Sequence, residues 1–417
     1  MKDTLIIKGG NPLYGTVRAS GAKNAGLVIM AASIMADGET ILDNLPRIRD
    51  VEVMIKILND INVDTRWNED GSLSICPPPG GIKNHTSYEL AKLLRASNLF
   101  LGAMLGRQQE ATISLPGGCD IGSRPMDLHI KGIQALGAQV NIEHGYIFAQ
   151  VQNPGGSRIY LDFPSVGATE NIMMMASKTP GVSMIENAAK EPEIVDLANF
   201  LNSMGAKIRG AGTDVIKVEG VKELKACRYA IIPDRIEAGT YMVAAAITGG
   251  EVMVENVIPT HLHPIVAKLQ ETGAQVSETN GGILVRAADK ILPVDIKTLP
   301  YPGFPTDMQS QMMALLSLGE GSSVIVENVF ENRFQIVDEL KRMGANIKVE
   351  GHTAVVEGVS TLYGARVKAT DLRAGAALVL AALVARGQTV IENAIYIFRG
   401  YEDICSKLEA LGAHVIE

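Results

Sequence analysis

The chain repeats itself about every 70 residues, and this periodicity limits its possible folds more than any composition figure does. An apolar-Gly-Ala-x-apolar signature recurs as "LGAQV", "MGAKI", "TGAQV", "MGANI" and "LGAHV", with its glycine at positions 137, 205, 273, 344 and 412. The successive spacings are 68, 68, 71 and 68 residues, and a degenerate first copy, "INVDT" at 61–65, keeps the same phase.

Each signature follows a strand-like stretch of one kind: "ETILDN", "ATISLP", "VSMIEN", "VMVENV", "VIVENV" and "TVIENA". Between strand and signature runs an amphipathic segment such as "IVDELKRMGA", whose apolar residues follow helical spacing. Its glycine is placed to end that helix in the left-handed conformation. Ahead of each strand lies a second helix rich in Ala and Gly, such as "DRIEAGTYMVAAAITGG" or "DLRAGAALVLAALVARG". Small side chains let helices approach closely, so this helix is expected to be buried and the more polar one to face water. Each copy reads as helix, strand, helix and about two further strands, an α/β unit.

Six such units exceed one ordinary core, whereas three plus three make two domains. The expected division gives repeats 1–3 to residues 23–232, and repeats 4–6 to residues 1–22 plus 233–417. The junction falls at "YAIIPDRIEAGTY", where a strand ends at Pro233. The N-terminal strand, "MKDTLIIKGG", has no partner in its own copy and is expected to pair with the last repeat. Two chain crossings form a hinge, and the cleft between two such domains is the expected active site.

Composition excludes several classes of function. A formal net charge of -8 gives no extended basic footprint for nucleic acid. The four cysteines, Cys76, Cys119, Cys227 and Cys405, form no C-x-x-C pair, which argues against a zinc site and for free thiols in a reducing compartment. The start lacks the pattern of a secretory leader. The longest apolar run, "AGAALVLAALVA" at 374–385, is too short to span a bilayer, so a soluble cytoplasmic protein without membrane partners is expected. "HLHP" at 261–264 offers two histidines and no third ligand, and strand or loop termini account for it. "IMMM" at 172–175 reads as core. No P-loop and no credible dinucleotide fingerprint is present.

In a repeat protein, places where the copies disagree are where to look for chemistry. From the residue after the strand to the signature glycine the separation is 16–19 residues in five copies, but 21 in the second, from Pro116 to Gly137. The extra residues fall in "PGGCDIGSRP", whose glycines suit a mobile loop or lid. Cys119 is therefore expected to be exposed rather than packed, with Arg124 and Lys23 able to lower its thiol from about 8.5. The starts of the small-residue helices carry a second pattern. Ser20, Ser165, Thr306 and Asp371 are placed to cap helices. Lys23, Arg95 and Arg373 oppose the helix dipole there, a conflict that a bound anion resolves. Arg124 and Arg399 flank this set from loops, so a polyanionic small molecule is the expected ligand.

The stretches "SGAKNA" at 20–25, "LLRAS" at 93–97, "LPGGCDIGSRPMDLH" at 115–129, "SVGAT" at 165–169, "KEPEIVD" at 190–196, "IPDRIE" at 232–237, "FPTDMQ" at 304–309, "VFENRF" at 329–334, "ATDLRA" at 369–374 and "RGYE" at 399–402 resemble those of the UDP-N-acetylglucosamine 1-carboxyvinyltransferases, in order along the whole chain. The resemblance implies a two-domain inside-out α/β barrel of six repeats, three per domain. It implies transfer of the enolpyruvyl group of phosphoenolpyruvate to the 3-hydroxyl of UDP-N-acetylglucosamine by addition and elimination, with release of phosphate. That reaction opens bacterial peptidoglycan precursor synthesis, and neither metal nor organic cofactor is implied. Residue by residue, Cys119 matches a loop proton donor that also forms a covalent adduct with phosphoenolpyruvate and is alkylated by fosfomycin. Asp307 matches the general base. Lys23, Asn24, Arg124 and Arg399 match the phosphoenolpyruvate site. Asn24, Arg95, Arg124, Pro125, Met126, Asp127, Leu128, Ser165, Val166, Gly167, Asp307 and Val329 match UDP-sugar contacts, with Arg373 and Asp371 in support.

Two stretches depart from the family wording: Phe163 and Pro164 precede "SVGAT", and "AIYIFRGYE" surrounds Arg399. Rival readings are the sister transferase acting on shikimate 3-phosphate, which lacks this cysteine loop, and a silent UDP-sugar-binding paralogue, which would not need Cys119, Lys23, Asp307, Arg124 and Arg399 together. A purely structural scaffold would not need cations at helix starts. The oligomeric state is left open by the sequence.

Overall fold

A computed structural model describes residues 3–115 and 125–416. Among these, the chain divides into two compact units, one of residues 21–115 and 125–232, the other of residues 3–20 and 233–416. Each unit contains three repeats and three small sheets.

A common plan underlies the six repeats. A small-residue helix comes first: Lys23–Ala32, Phe100–Gln108 and Val166–Lys178 in one unit, Arg235–Thr248, Gln309–Leu316 and Leu372–Val384 in the other. These helices are buried almost throughout, with every residue of Gln309–Leu316 in the core. Glycine sets how closely they pack. A Cβ built on Gly102 would lie 2.3 Å from the backbone oxygen of Asn171 on the neighbouring buried helix. The second helices, such as Arg49–Asp60 and Pro192–Ser203, bury one stripe and leave the other in water. Helices on the inside and sheets around them are the expected α/β arrangement.

Strand pairing explains how three repeats make one closed unit. After each small-residue helix comes a strand that pairs antiparallel with a hairpin from its own repeat, as Val182–Glu186 does with Val215–Glu219. On its other side it pairs parallel with a strand from elsewhere, as Val182–Glu186 does with Arg158–Tyr160 of the preceding repeat. Arg228–Ala230, at the end of the third repeat, returns to pair with Thr40–Asp43 of the first. The N-terminal strand Thr4–Lys8 pairs antiparallel with Gln388–Glu392 and His414–Ile416, completing the sixth repeat as its missing hairpin strand. Tyr14–Arg18 then pairs parallel with Glu251–Glu255 of the fourth. The second repeat is the exception: only a single bridge, His85 to Thr112, stands where the others have a parallel strand.

The signature glycines have φ of +99°, +105°, +97°, +97° and +103° at 137, 205, 273, 344 and 412, as a helix-ending left-handed residue requires. Asn62, with φ +66°, fills that position in the degenerate first copy. The asparagine after the strand has a separate role. Asn44, Asn187, Asn256, Asn328 and Asn393 donate side-chain hydrogen bonds to the carbonyls of Ile231, Leu161, Ala19, Thr298 and Ala369. Each of those carbonyls lies just beyond the parallel edge strand, so the asparagine ties that strand to the next repeat. At four of the five, Asn44, Asn187, Asn256 and Asn393, φ lies between +54° and +56°, which asparagine tolerates better than most side chains.

Candidate active site

Cys119 and Arg124 lie outside the described residues, and the structure bears on the remaining predicted residues unit by unit.

In the unit of repeats 1–3, Lys23 is the first residue of its helix and its Nζ lies 2.7 Å from Asp50 Oδ2. Asp50 is 2% exposed and Lys23 13%, so the dipole conflict read from the sequence is met in part by a buried carboxylate of the chain itself. Asn24 follows, its amide 3.4 Å from Glu193 Oε1.

Three segments predicted to contact a UDP-sugar converge on one buried side chain. Asn171, fully buried on the Val166–Lys178 helix, accepts the Gly102 N–H at 2.6 Å through Oδ1. That donor can face only the oxygen, so Nδ2 points the other way. It meets the Asn98 carbonyl at 3.2 Å, His129 Nδ1 at 2.9 Å and the Gly167 carbonyl at 3.3 Å. His129 Nδ1 therefore accepts, and the proton of the neutral ring sits on Nε2. Burial pushes His129 down to about 4, with the charge of Arg95 adding to it and Asp127 opposing. Asn98 belongs to the short helix begun by Arg95, and its amide reaches Met126 Sδ at 3.5 Å. His129 is two residues beyond Asp127, which opens the Asp127–Ala135 helix behind Met126 as cap. Ser165 caps the Val166–Lys178 helix, its Oγ accepting from Ala168 N–H at 3.4 Å. The segments that carry Arg95, Met126 to Leu128 and Ser165 to Gly167 are thus joined through one polar hub. Pro125, just before it, is exposed.

In the unit of repeats 4–6, Asp307 is held from two sides. Arg333 Nη2 lies 2.5 Å from Oδ1 and Arg373 Nη2 2.8 Å from Oδ2. The Asp307 side chain is 26% exposed, whereas those of Arg333 and Arg373 are 2% and 5% exposed. Burial opposes the charge of Arg373, but Asp307, Tyr401 and Asp234 together hold the guanidinium above its ordinary value. Arg373 also reaches the Tyr401 hydroxyl at 3.4 Å. That hydroxyl lies 3.0 Å from Thr240 Oγ1, and Gln311 donates to the Asp307 carbonyl at 2.9 Å. Asp371 caps the Leu372–Val384 helix, accepting from Arg373 N–H at 2.8 Å and Ala374 N–H at 3.1 Å. Val329 donates its N–H to Glu327 Oε1 at 2.8 Å. Arg399 ends the short Ala394–Arg399 helix and is half-buried.

Some expectations change. Thr306 is no cap: its hydroxyl donates to Glu327 Oε2 at 3.0 Å. Ser20 is no cap either, since its hydroxyl meets Glu402 and Lys407, each at 2.7 Å. "HLHP" lies in the first turns of the Pro259–Glu271 helix rather than at a strand or loop terminus. Among the described residues no group of three or more His, Cys, Asp or Glu is placed to hold a metal ion. No helix among them is long and apolar enough to cross a membrane. Burial raises the Cys76 and Cys227 thiols, which makes them poor nucleophiles, and Cys405 is buried. Sequence reasoning missed Arg333 and the Asn171–His129 hub. Arg333 and His129 stand inside stretches already singled out, "VFENRF" and "RPMDLH", but Asn171 has no such signal.

Residues 7–408 match the family model described as EPSP synthase (3-phosphoshikimate 1-carboxyvinyltransferase). The chain is similar to a UDP-N-acetylglucosamine 1-carboxyvinyltransferase 1 of Caldanaerobacter subterraneus subsp. tengcongensis, 55% identical over 415 residues, covering 100% of this chain and 99% of the relative. It is similar to a UDP-N-acetylglucosamine 1-carboxyvinyltransferase of Halothermothrix orenii, 54% identical over 410 residues and covering 98% of each. Among solved structures, the enolpyruvyl transferase NikO from Streptomyces tendae superimposes with a TM-score of 0.88 at 25% identity, covering 99% of this chain and 98% of NikO. An EPSP synthase from Acinetobacter baumannii, at 18% identity and a TM-score of 0.75 over 99% of this chain and 100% of the other, shares the fold.

Proposed function

The chain belongs to the EPSP synthase family of enolpyruvyl transferases, and we propose that it moves the enolpyruvyl group of phosphoenolpyruvate to the 3-hydroxyl of UDP-N-acetylglucosamine. The observation that carries the acceptor is identity of 54–55% along essentially the whole chain to relatives bearing that name. By the same reading the enzyme is cytoplasmic and supplies a precursor for peptidoglycan.

Lys23, Arg124 and Arg399 hold the phosphate and carboxylate of phosphoenolpyruvate, with Asn24 beside them. Arg95, Arg124 and the 125–128 segment take the UDP-sugar, and so does the start of the Val166–Lys178 helix. First-turn N–H groups there have no partner within the helix, which suits a diphosphate. Asp307 takes the 3-hydroxyl proton as that oxygen attacks, and Cys119 gives a proton to the enol methylene carbon. Protonation leaves oxocarbenium character at the neighbouring carbon, where the C–O bond forms. Loss of one methyl proton and of phosphate from the tetrahedral adduct then restores the double bond. Prearranged cations serve this sequence because the substrates bring several negative charges. An ionised carboxylate accepts hydrogen bonds only, the property required of Asp307.

Turnover in deuterium oxide, followed by proton NMR of the product, tests the scheme. A UDP-N-acetylglucosamine 3-enolpyruvyl ether with deuterium in its methylene is expected, because the intermediate carries a methyl group that exchanges one proton with solvent. An ether free of deuterium would rule out the addition step. Cys119→Ser is expected to lose the phosphoenolpyruvate adduct seen by intact mass, and an undiminished adduct would show that another group forms it.

A further inference from the structure

Resting on Arg399 as a phosphoenolpyruvate ligand, we infer that Ser20 is a positioning residue for that arginine: its hydroxyl links Lys407 to Glu402 and so pins the chain just beyond Arg399. All four residues belong to the unit of repeats 4–6. Ser20 is 9% exposed and caps no helix, so its hydroxyl serves another purpose. Lys407 Nζ lies 2.7 Å from Ser20 Oγ, and an ammonium group can only donate. The hydroxyl proton must therefore go elsewhere. Glu402 Oε2, at 2.7 Å, takes it in preference to Glu237 Oε1, which is 3.5 Å from the hydroxyl and already accepts from Lys407 at 2.7 Å. The result is a directed chain from Lys407 through Ser20 to Glu402.

The backbone of Ser20 is held as firmly as its side chain. Its N–H donates to Glu237 Oε2 at 2.7 Å, and its carbonyl accepts the Asp234 N–H at 2.8 Å. Glu237 is 2% exposed on the Arg235–Thr248 helix and Lys407 stands on the Ile404–Ala410 helix, so Ser20 is gripped from two packed elements. Burial pushes the Glu237 carboxyl up to about 7 against the opposing charge of Lys407, which leaves it mostly ionised and able to accept both bonds at pH 8.

Glu402 comes three residues after Arg399, which ends the short Ala394–Arg399 helix. The chain between them is already tied in two ways. The Gly400 and Tyr401 N–H groups each meet the Ile397 carbonyl at 3.2 Å, and the buried Tyr401 hydroxyl reaches Thr240 and Arg373. The Ser20 hydroxyl adds a tie at the next residue, from a distant part of the chain. Without it Glu402 loses a charge-assisted hydrogen bond, while Lys407 keeps Glu237 as its partner. Removing one oxygen therefore loosens the Arg399 segment and leaves the buried ion pair in place.

Steady-state kinetics at pH 8 on full-length Ser20→Ala, Ser20→Thr, Glu402→Gln and Arg399→Ala provide the test. In Ser20→Ala the KM for phosphoenolpyruvate is expected to rise about tenfold, with the KM for UDP-N-acetylglucosamine within about twofold of the parent. A merely structural role would not split the two. Ser20→Thr, which keeps the hydroxyl, is expected to restore the parent's KM, and a value as high as that of Ser20→Ala would show that the hydroxyl is not what acts. An unchanged KM for phosphoenolpyruvate in Ser20→Ala, or equal rises for both substrates, would overturn the inference. Arg399→Ala separates the two levels of the reading. If it keeps the parent's kcat/KM for phosphoenolpyruvate, the ligand assignment itself fails; if it lowers that value and Ser20→Ala does not, Arg399 stands and the role of Ser20 falls. Should Ser20→Ala not fold, Glu402→Gln decides, because it weakens the same hydrogen bond from the other side: a raised KM for phosphoenolpyruvate alone supports the inference, and the parent's KM overturns it.

Discussion

Replacing Asn171 with Asp exchanges one NH2 group for an oxygen at the centre of the hub in repeats 1–3. The amide nitrogen, with two hydrogens to give, now lies among three acceptors, the Asn98 carbonyl at 3.2 Å, His129 Nδ1 at 2.9 Å and the Gly167 carbonyl at 3.3 Å. A carboxylate there would face three acceptors and carry a charge into a fully buried position. Each acceptor left without a donor costs about 1 kcal/mol or more, and an uncompensated buried charge about 3–5 kcal/mol, so about 4 kcal/mol is expected at pH 8. The penalty depends on pH, and the sign follows from His129. In the parent its ring is held down at about 4, first by burial, so it is neutral. A carboxylate in contact raises it by about 1–3 units. By pH 5.5 the introduced carboxylate can form an ion pair with His129 that recovers part of the loss, whereas Asn171→Leu offers no such partner. The single tryptophan, Trp67, lies in this unit, so urea unfolding followed by its fluorescence reports on the right half of the chain. The expected result is a penalty for Asn171→Asp smaller at pH 5.5 than at pH 8 by about 1–2 kcal/mol, as a shift of about one unit in one group implies. A penalty below about 1 kcal/mol, or one equal at both pH values, would refute the assignment of donors and acceptors in the hub.

Gly102→Ala is expected to cost about 3 kcal/mol or more, because its Cβ would lie 2.3 Å from a backbone oxygen that cannot move without displacing a buried helix; unfolding by the same fluorescence signal within about 0.5 kcal/mol of the parent would show that these helices are not held so close. Burial pushes Glu237 up to about 7 against the opposing charge of Lys407, from an ordinary 4.5. Because the folded value lies above the unfolded one, its contribution is present below about 4.5 and lost as pH rises through about 7, a span of about 3 kcal/mol. Glu237→Gln is therefore expected to flatten the pH dependence of urea unfolding between pH 5 and 8, read by far-ultraviolet circular dichroism, and an unchanged slope would count against it.

The repeat made the architecture legible. Glycines at a fixed spacing gave the helix ends, and strands with the same wording gave the order of elements along a copy. Even the odd first copy kept its phase, with Asn62 in the left-handed position that glycine holds elsewhere. The parallel pairing between repeats was not legible, because edge strands such as Arg228–Ala230 are three residues long and carry no periodic signal. The candidate site stood out in the sequence where it broke a local rule. Lys23 and Arg373 stood out against the helix dipole, although each has a carboxylate of its own chain beside it, Asp50 and Asp307. Arg333 broke no rule, since a buried arginine reads from sequence like any surface arginine until its partner is known. Asn171 was hidden for a similar reason: a polar residue on an apolar helix declares itself only when its four hydrogen-bond partners, three of them from other helices, are in place.

Phosphate release from phosphoenolpyruvate measures the identity of the acceptor directly. Three reactions are compared: UDP-N-acetylglucosamine as acceptor, shikimate 3-phosphate as acceptor, and none. Release stimulated by UDP-N-acetylglucosamine alone is the expected result. Stimulation by shikimate 3-phosphate instead, or equal release in all three, would contradict the assignment.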